Sequence, residues 1–326
     1  MQRARHWFGV LGLWLLALPA AQAVYGQVGN YPNKAVTVIG DAAPGASPDV
    51  AMRFVADGLT KMWGQQVAVI NHPGANGSIA ARAAADAAPD GYTLFSPALS
   101  TFVALPTVAP SLPLKLPRDF LPIGFVSEQP MFIAMDPALG ITTLAQLIAA
   151  AKKQPGTITL ALTGIGRLTH LTGELLQARA DIKLLPVPYN HGPASALGDV
   201  ASGRVSMIIE GYSGIVGAVK AGQVKLIAVA SPQRLPEFPD LPTVAETIPG
   251  FAAAGWLILA APVGTPQPII DKTSVDLAKV VSNPDVKAKL AAIGSYSRPM
   301  TPAETQAFVA KEQQTWLPLL EKISAK

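Results

Sequence analysis

Two short segments hold the residue types that site chemistry would need. Ala43-Pro44-Gly45-Ala46-Ser47-Pro48-Asp49 and Asn71-His72-Pro73-Gly74-Ala75-Asn76-Gly77-Ser78 each join an apolar β-rich run to a helical one. Gly and Pro set tight turns while Ser, Asp and Asn cap the next helix, so each loop can aim free backbone N–H groups at one anion. Two more loops have this make-up: Thr163-Gly164-Ile165-Gly166-Arg167-Leu168-Thr169-His170 and Tyr189-Asn190-His191-Gly192-Pro193-Ala194-Ser195. All four fall at the C-terminal ends of predicted strands, where open α/β sheets bind ligands. If they converge, each helix N-terminus contributes ~0.3–1 kcal/mol toward a carboxylate. The alternative is ordinary capping of buried helices.

Catalytic chemistry fits less well. The nearest approach to a Gly-x-Ser-x-Gly elbow, Gly211-Tyr212-Ser213-Gly214, has its second Gly one place early. His72, His170 and His191 lack metal-site spacing, and the dinucleotide-like start Gly164-Ile165-Gly166 meets Thr at position 169. The chain has no cysteine, which excludes disulfides, thiol catalysis, Cys-ligated metals and a lipid-modified Cys. No catalytic residue, metal or cofactor is therefore expected. A periplasmic α/β enzyme would need Ser195 or Ser213 beside His191 or His170.

The positioning elements alternate. Strands are expected at 35–39, 67–70 and 92–96, with helices at 49–63 and 78–87 between them. The first helix is expected to bury Val50, Phe54, Val55, Leu59 and Met62. After a Pro-punctuated stretch, the extended run 123–135 reads as a crossing into a second series. Its helices are expected near 144–153, 168–179, 193–202 and 213–220, and its strands near 158–162, 184–187, 205–209 and 224–230. A second extended run, 252–261, reads as the return crossing before three closing helices, the last near 302–323. The βαβαβ pattern implies two doubly wound α/β units joined by two crossing strands, a bilobed clamp, rather than one large domain. Lobe 1 is expected to comprise 24–126 and 257–326, and lobe 2 127–256.

Arg3 and Arg5, an apolar run from Trp7 to Leu18 and Ala21-Gln22-Ala23 form a signal-peptide pattern over 1–23, cleaved after Ala23. The expected product is periplasmic. Charged residues make up 14% of the chain, and two of the formal four positive charges leave with the signal, so no nucleic-acid partner is expected.

The chain resembles the Bug-type solute-binding receptors of tripartite tricarboxylate transporters from about Tyr31 onward. The resemblance rests on Tyr31-Pro32-x-Lys34, Ala43-Pro44-Gly45 with Asp49, Asn71-x-Pro73-Gly74-Ala75 and Ala88-Pro89-Asp90-Gly91-Tyr92-Thr93-Leu94. It continues with Gly164-x-Gly166 and His170-Leu171, Val187-Pro188-Tyr189 with Gly192, Pro242-Thr243-Val244-Ala245-Glu246, and Trp256 before Ala261-Pro262-x-Gly264-Thr265-Pro266. It implies a type II periplasmic-binding-protein fold that closes on a small carboxylate and delivers it to a membrane permease. A sensory receptor for a membrane signalling partner is the alternative, and a monomer is expected.

The chain departs from the family at the first loop. Asp41-Ala42 stands where relatives carry Pro and an aromatic, Ala46 replaces a Gly, and Arg167 replaces a Ser or Thr in the third loop. Asp41 and Arg167 either face one another across the closed cleft or both point to solvent. The candidate ligand-binding residues are Asp41, Ala42, Ala43, Gly45, Ser47, Asp49, Asn76, Gly77 and Ser78 from the first two loops. The second lobe is expected to add Thr163, Gly166, Arg167, Thr169, Tyr189, Gly192 and Glu210. Asp49 reads as a cap or a contact, Tyr189 as a contact or hinge packing, and Glu210 as an amine acceptor or a helix cap. His170 is expected to fix its loop, and Trp256 to pack beside the hinge.

Overall fold

The computed structural model describes residues 30–164, 166–189 and 192–324. The expected signal segment over 1–23, together with Ile165, Asn190 and His191, lies outside the described residues. The chain begins with β1 (Val36–Gly40), α1 (Ser47–Trp63), β2 (Val67–Asn71), α2 (Ser78–Ala85), β3 (Thr93–Ser96) and the short α3 (Leu105–Val108). The long β4 (Phe120–Pro130) leads to β5 (Phe132–Met135), α4 (Leu144–Lys153), β6 (Thr159–Leu162), α5 (Leu168–Ala180) and β7 (Leu185–Pro188). Then follow α6 (Pro193–Ala201), β8 (Met207–Glu210), α7 (Tyr212–Lys220) and β9 (Lys225–Val229). The chain returns through β10 (Ala254–Pro262) and closes with α8 (Gln267–Ser282), α9 (Pro284–Ala291) and α10 (Pro302–Ser324).

These strands form two five-stranded sheets, ordered β2-β1-β3-β10-β4 and β7-β6-β8-β5-β9. In the first sheet β2, β1 and β3 run parallel and β10 and β4 come from the crossing segments, while in the second β7, β6, β8 and β9 share one direction and β5, from the first crossing segment, opposes them. The crossing strands are thus sheet members as well as connectors. β10 lies antiparallel to both β3 and β4, and β5 lies antiparallel to β8 and β9. The Val- and Ile-rich β1 is buried on both faces, as a strand covered by helices on each side must be.

The helix α1 differs from the face expected of it. Its buried side is Ala51, Met52, Val55, Ala56 and Leu59, while Met62 is 42% exposed. The cause is close helix packing. A Cβ on Gly58 would sit 2.5 Å from Val280 Cγ1, so α8 comes too close there for a side chain, and the larger Phe54 is partly buried against the same core. The helix stops at Gly64, which adopts φ 65° and returns its N–H to Thr60 O, 2.9 Å away.

The two lobes are knitted together where the chain crosses. β4 pairs with β10 as far as Pro130 opposite Ala254. Just beyond, Met131 N–H donates to Ala253 O (3.0 Å), Ala253 N–H to Ala230 O (2.9 Å) and Ala230 N–H to Met131 O (2.7 Å). Apolar packing continues past this point through Met131 and Trp256 into the core of the second sheet.

Behind the crossing lies α10. Its Glu312 carboxylate oxygen Oε2 accepts from the indoles of Trp256 (3.1 Å) and Trp316 (3.3 Å). Burial pushes the Glu312 carboxyl up, opposed by the two indole donors and Lys311 and reinforced by Glu128. A folded acid with a raised pKa holds its proton more tightly than the unfolded one. Ionised Glu312 therefore destabilises the fold at neutral pH, and this cost disappears below the ordinary carboxylate range. Glu312→Gln keeps an oxygen for both indoles. It is expected to raise Tm at pH 7, with the gain vanishing near pH ~4 in calorimetric melts across the pH range.

Candidate functional site

The first jaw is built at the end of β1. Asp41 and Ala42 follow it directly and are buried. Asp41 Oδ2 accepts from the Ala98 N–H (3.0 Å) and from the Thr101 hydroxyl. Thr101 sits in a π-helical turn over Ser100–Ala104, an element for which the sequence carries no clear periodicity. Gly77 closes behind this pair at φ +95°, where a Cβ would lie 2.0 Å from Thr101 Oγ1.

Asp49 organises the same loop from below. Its carboxylate accepts from Gly45 N–H (2.8 Å), Asn71 Nδ2 (2.9 Å) and Arg53 Nε (2.9 Å), and Asn71 also donates to Ala42 O (3.0 Å). Asp49 therefore ties the first loop to the end of β2. Its buried oxygens are engaged within the lobe.

The second jaw is built on β6 and β8. Thr163 donates to Glu210 Oε2 (2.7 Å) and lies 3.2 Å from Thr169 Oγ1, while the Gly211 N–H donates to Glu210 Oε1 (2.9 Å). Burial pushes the Glu210 carboxyl up, against the pull of these donors and of Arg167. His170 Nδ1 accepts the Gly166 N–H at 3.1 Å and so holds the turn that precedes α5. Arg167, half-buried, reaches across the cleft to place Nη2 3.6 Å from Asp41 Oδ1. Of the two orientations left open by the sequence, the structure has the one in which they face each other.

Between the jaws lies a cavity of about 350 Å³. Its lining includes Asp41, Ala42, Ala43, Ser47 and Asn76 from one side, and Thr163, Arg167, Thr169, Gly192 and Glu210 from the other. Six candidates lie outside the lining. Gly45 shapes the turn at φ +80° and gives its N–H to Asp49, and Gly77 backs Asp41. Asp49 is engaged as described, and Ser78 opens α2 without a side-chain cap. Gly166, at φ +78°, is buried in the turn before α5, where a Cβ would be 2.9 Å from Asn76 Nδ2. Tyr189 donates instead to Asp199 Oδ2 (2.5 Å), on an acid that also pairs with Arg204.

Sequence reasoning missed Ser100, Gln129 and Met131, and it placed Trp256 beside the hinge when it also lines the cavity. A polar Gln inside the apolar crossing run was the available signal for Gln129. Ser213, from the near-elbow motif, donates across the cleft to Ser47 Oγ at 2.7 Å. Among the described residues, no group of His, Asp and Glu is placed to hold a metal ion.

Residues 51–325 match the model of the "Tripartite tricarboxylate transporter family receptor". Protein BugT of Bordetella pertussis is 32% identical over 97% of this chain and 97% of its own. An R. palustris protein solved with adipate superposes with a TM-score of 0.86 at 28% identity, covering 90% of this chain and 98% of its own. MatC from Rhodopseudomonas palustris, solved with bound malate, superposes with a TM-score of 0.81 at 29% identity, covering 89% and 100%. Sequence, fold and a cleft between two lobes agree, and the chain belongs to the receptor family of the tripartite tricarboxylate transporters.

Proposed function

We propose that this protein is a periplasmic receptor that closes on a small carboxylate-bearing solute and presents it to a tripartite tricarboxylate-type membrane permease. The observation that carries this reading is the meeting of loops from both lobes around one cavity into which, among the described residues, Arg167 alone brings a guanidinium. The adipate and malate held by relatives of the same fold support a carboxylate as the class of ligand. The cavity volume, about 350 Å³, lies within the ~300–1,000 Å³ usual for small-molecule sites. The first-turn N–H groups of α1 and α5 have no partner within their own helices and are natural donors to a ligand carboxylate.

In this reading, residues 1–23 are a signal peptide cleaved after Ala23, and the receptor works as a monomer. The pairing of β4 with β10 as far as Pro130 and Ala254 supports a division of the lobes near 130–131 and 253–254, within a few residues of the boundaries expected from sequence. Saturating carboxylate should compact the protein in small-angle scattering. At a hundredfold excess over Kd it should add about 2.7 kcal/mol of stability. A broad panel of di-, tri- and aromatic acids that changes neither quantity would end the reading. Arg167→Ala should weaken the best binder by about tenfold or more in calorimetric titration.

Closure itself depends on glycines that let the lobes touch. A Cβ on Gly211 would lie 2.2 Å from Ser47 Oγ and 2.7 Å from Ser47 Cβ, and one on Gly192 would lie 3.2 Å from Ala43 Cβ. Gly211 has φ −66° and ψ 146°, which any residue can adopt, so Gly211→Ala leaves its own lobe unstrained. Rotating the Ser47 hydroxyl away cannot relieve the contact with its Cβ. Gly211→Ala is therefore expected to fold with a normal Tm, to show a larger radius of gyration in the presence of ligand than the parent protein does, and to bind more weakly. Scattering and titration on the same samples check it.

A further inference from the structure

Among the described residues, three ionisable ones line the cavity: Asp41, Glu210 and Arg167. The arrangement holds two carboxyls against one guanidinium, which is an unusual setting for a ligand of two like negative charges. Asp41 is the sharper of the two acids. Its side chain is fully buried, and both donors from its own lobe, Ala98 N–H and the Thr101 hydroxyl, go to Oδ2. Among the described residues Oδ1 has no hydrogen-bond partner, and it looks across to Arg167 at 3.6 Å, beyond hydrogen-bond reach. A buried carboxylate oxygen without a donor is costly, and a ligand N–H placed there would remove that cost. Glu210 faces the same cavity from the other lobe. Each of its oxygens takes one donor and keeps a lone pair for a second.

We propose that the cleft selects a zwitterion, with its ammonium on Asp41 Oδ1 and Glu210 and its carboxylate on Arg167. This rests on the carboxylate-receptor reading above and adds the second half of the ligand. The close approach of Asp41 and Arg167 favours opposite ligand charges separated by one carbon, as in an α-amino acid. A dicarboxylate would bring a second negative charge toward Asp41 and Glu210, with Arg167 the one cation among the described lining residues to offset it. A zwitterion leaves the charge of the cavity unchanged, and each of its ends meets an opposite partner.

The test uses matched acids that differ only by the α-amino group: 2-aminobutyrate against butyrate, glutamate against glutarate, and phenylalanine against 3-phenylpropionate. Titrated calorimetrically at pH 7, at least one amino acid should bind about tenfold or more tightly than its amine-free partner. Asp41→Asn keeps the shape and an oxygen for Ala98 and Thr101, and it should reduce that ratio to near unity. Glu210→Gln should lower the ratio independently and serves if the first variant fails to fold. Amine-free acids that bind as well as or better than their amino partners would overturn the zwitterion while leaving the carboxylate receptor standing. So would a ratio that neither substitution changes. Failure of every acid in all three pairs to bind would overturn both.

Discussion

The antiparallel pairing of β4 with β10 is the constraint on which the rest of the molecule depends. These two strands complete the first sheet and then run together to Pro130 and Ala254, where Met131, Ala230 and Ala253 exchange hydrogen bonds. Because both chain passages leave one sheet at the same place, the second sheet can rotate about that point but cannot slide away from it. The C-terminal ends of β1 and β2 are thereby held opposite those of β6 and β8. Loops some 120 residues apart in the sequence, at Asp41 and Arg167, become neighbours at 3.6 Å.

The pocket formed in this way mixes rigid and adaptable parts. Asp41, Asp49 and Glu210 are buried, and each is held by donors from its own lobe, so their carboxyls are positioned before any ligand arrives. The contacts between lobes are of a different kind. Across the cleft they include short approaches of backbone and small side chains, Gly211 to Ser47, Gly192 to Ala43 and Gly166 to Asn76, a hydroxyl pair and a loose ion pair. Such contacts form and break without disturbing either core, which suits a clamp whose two states must lie close in free energy. Trp256 bridges the two kinds of part, since it lines the cavity while its indole is held by Glu312 of α10 behind the crossing.

Much of the architecture was legible in the chain itself. The alternation of β-branched runs with capped helices and the two long extended runs indicated paired α/β units and two crossings. The Gly, Pro and Asn punctuation marked the loops that form the jaws. Large apolar residues misled in α1, which meets α8 at Gly58 and buries Ala51 and Ala56 along with Met52, Val55 and Leu59, while Met62 stays exposed. Tyr189 and Asp49 have the chemistry of ligand contacts, yet hydrogen bonds to Asp199 in one case and from Gly45, Asn71 and Arg53 in the other occupy them within a lobe.

By itself the sequence determined the local structure: where the helices begin and end, which loops free their N–H groups, and that no cysteine chemistry is possible. These follow from interactions within a few residues, such as caps, turns and β-branched packing. Only the tertiary structure decided that, among the described residues, no donor reaches one oxygen of Asp41, that this oxygen faces Arg167, and that Glu210, Gln129 and Trp256 share the same cavity. Those facts depend on the relative placement of two sheets, which is set by long-range strand pairing and by backbone approaches at glycine. No spacing along the chain encodes such distances, because they are established only when both crossings are made.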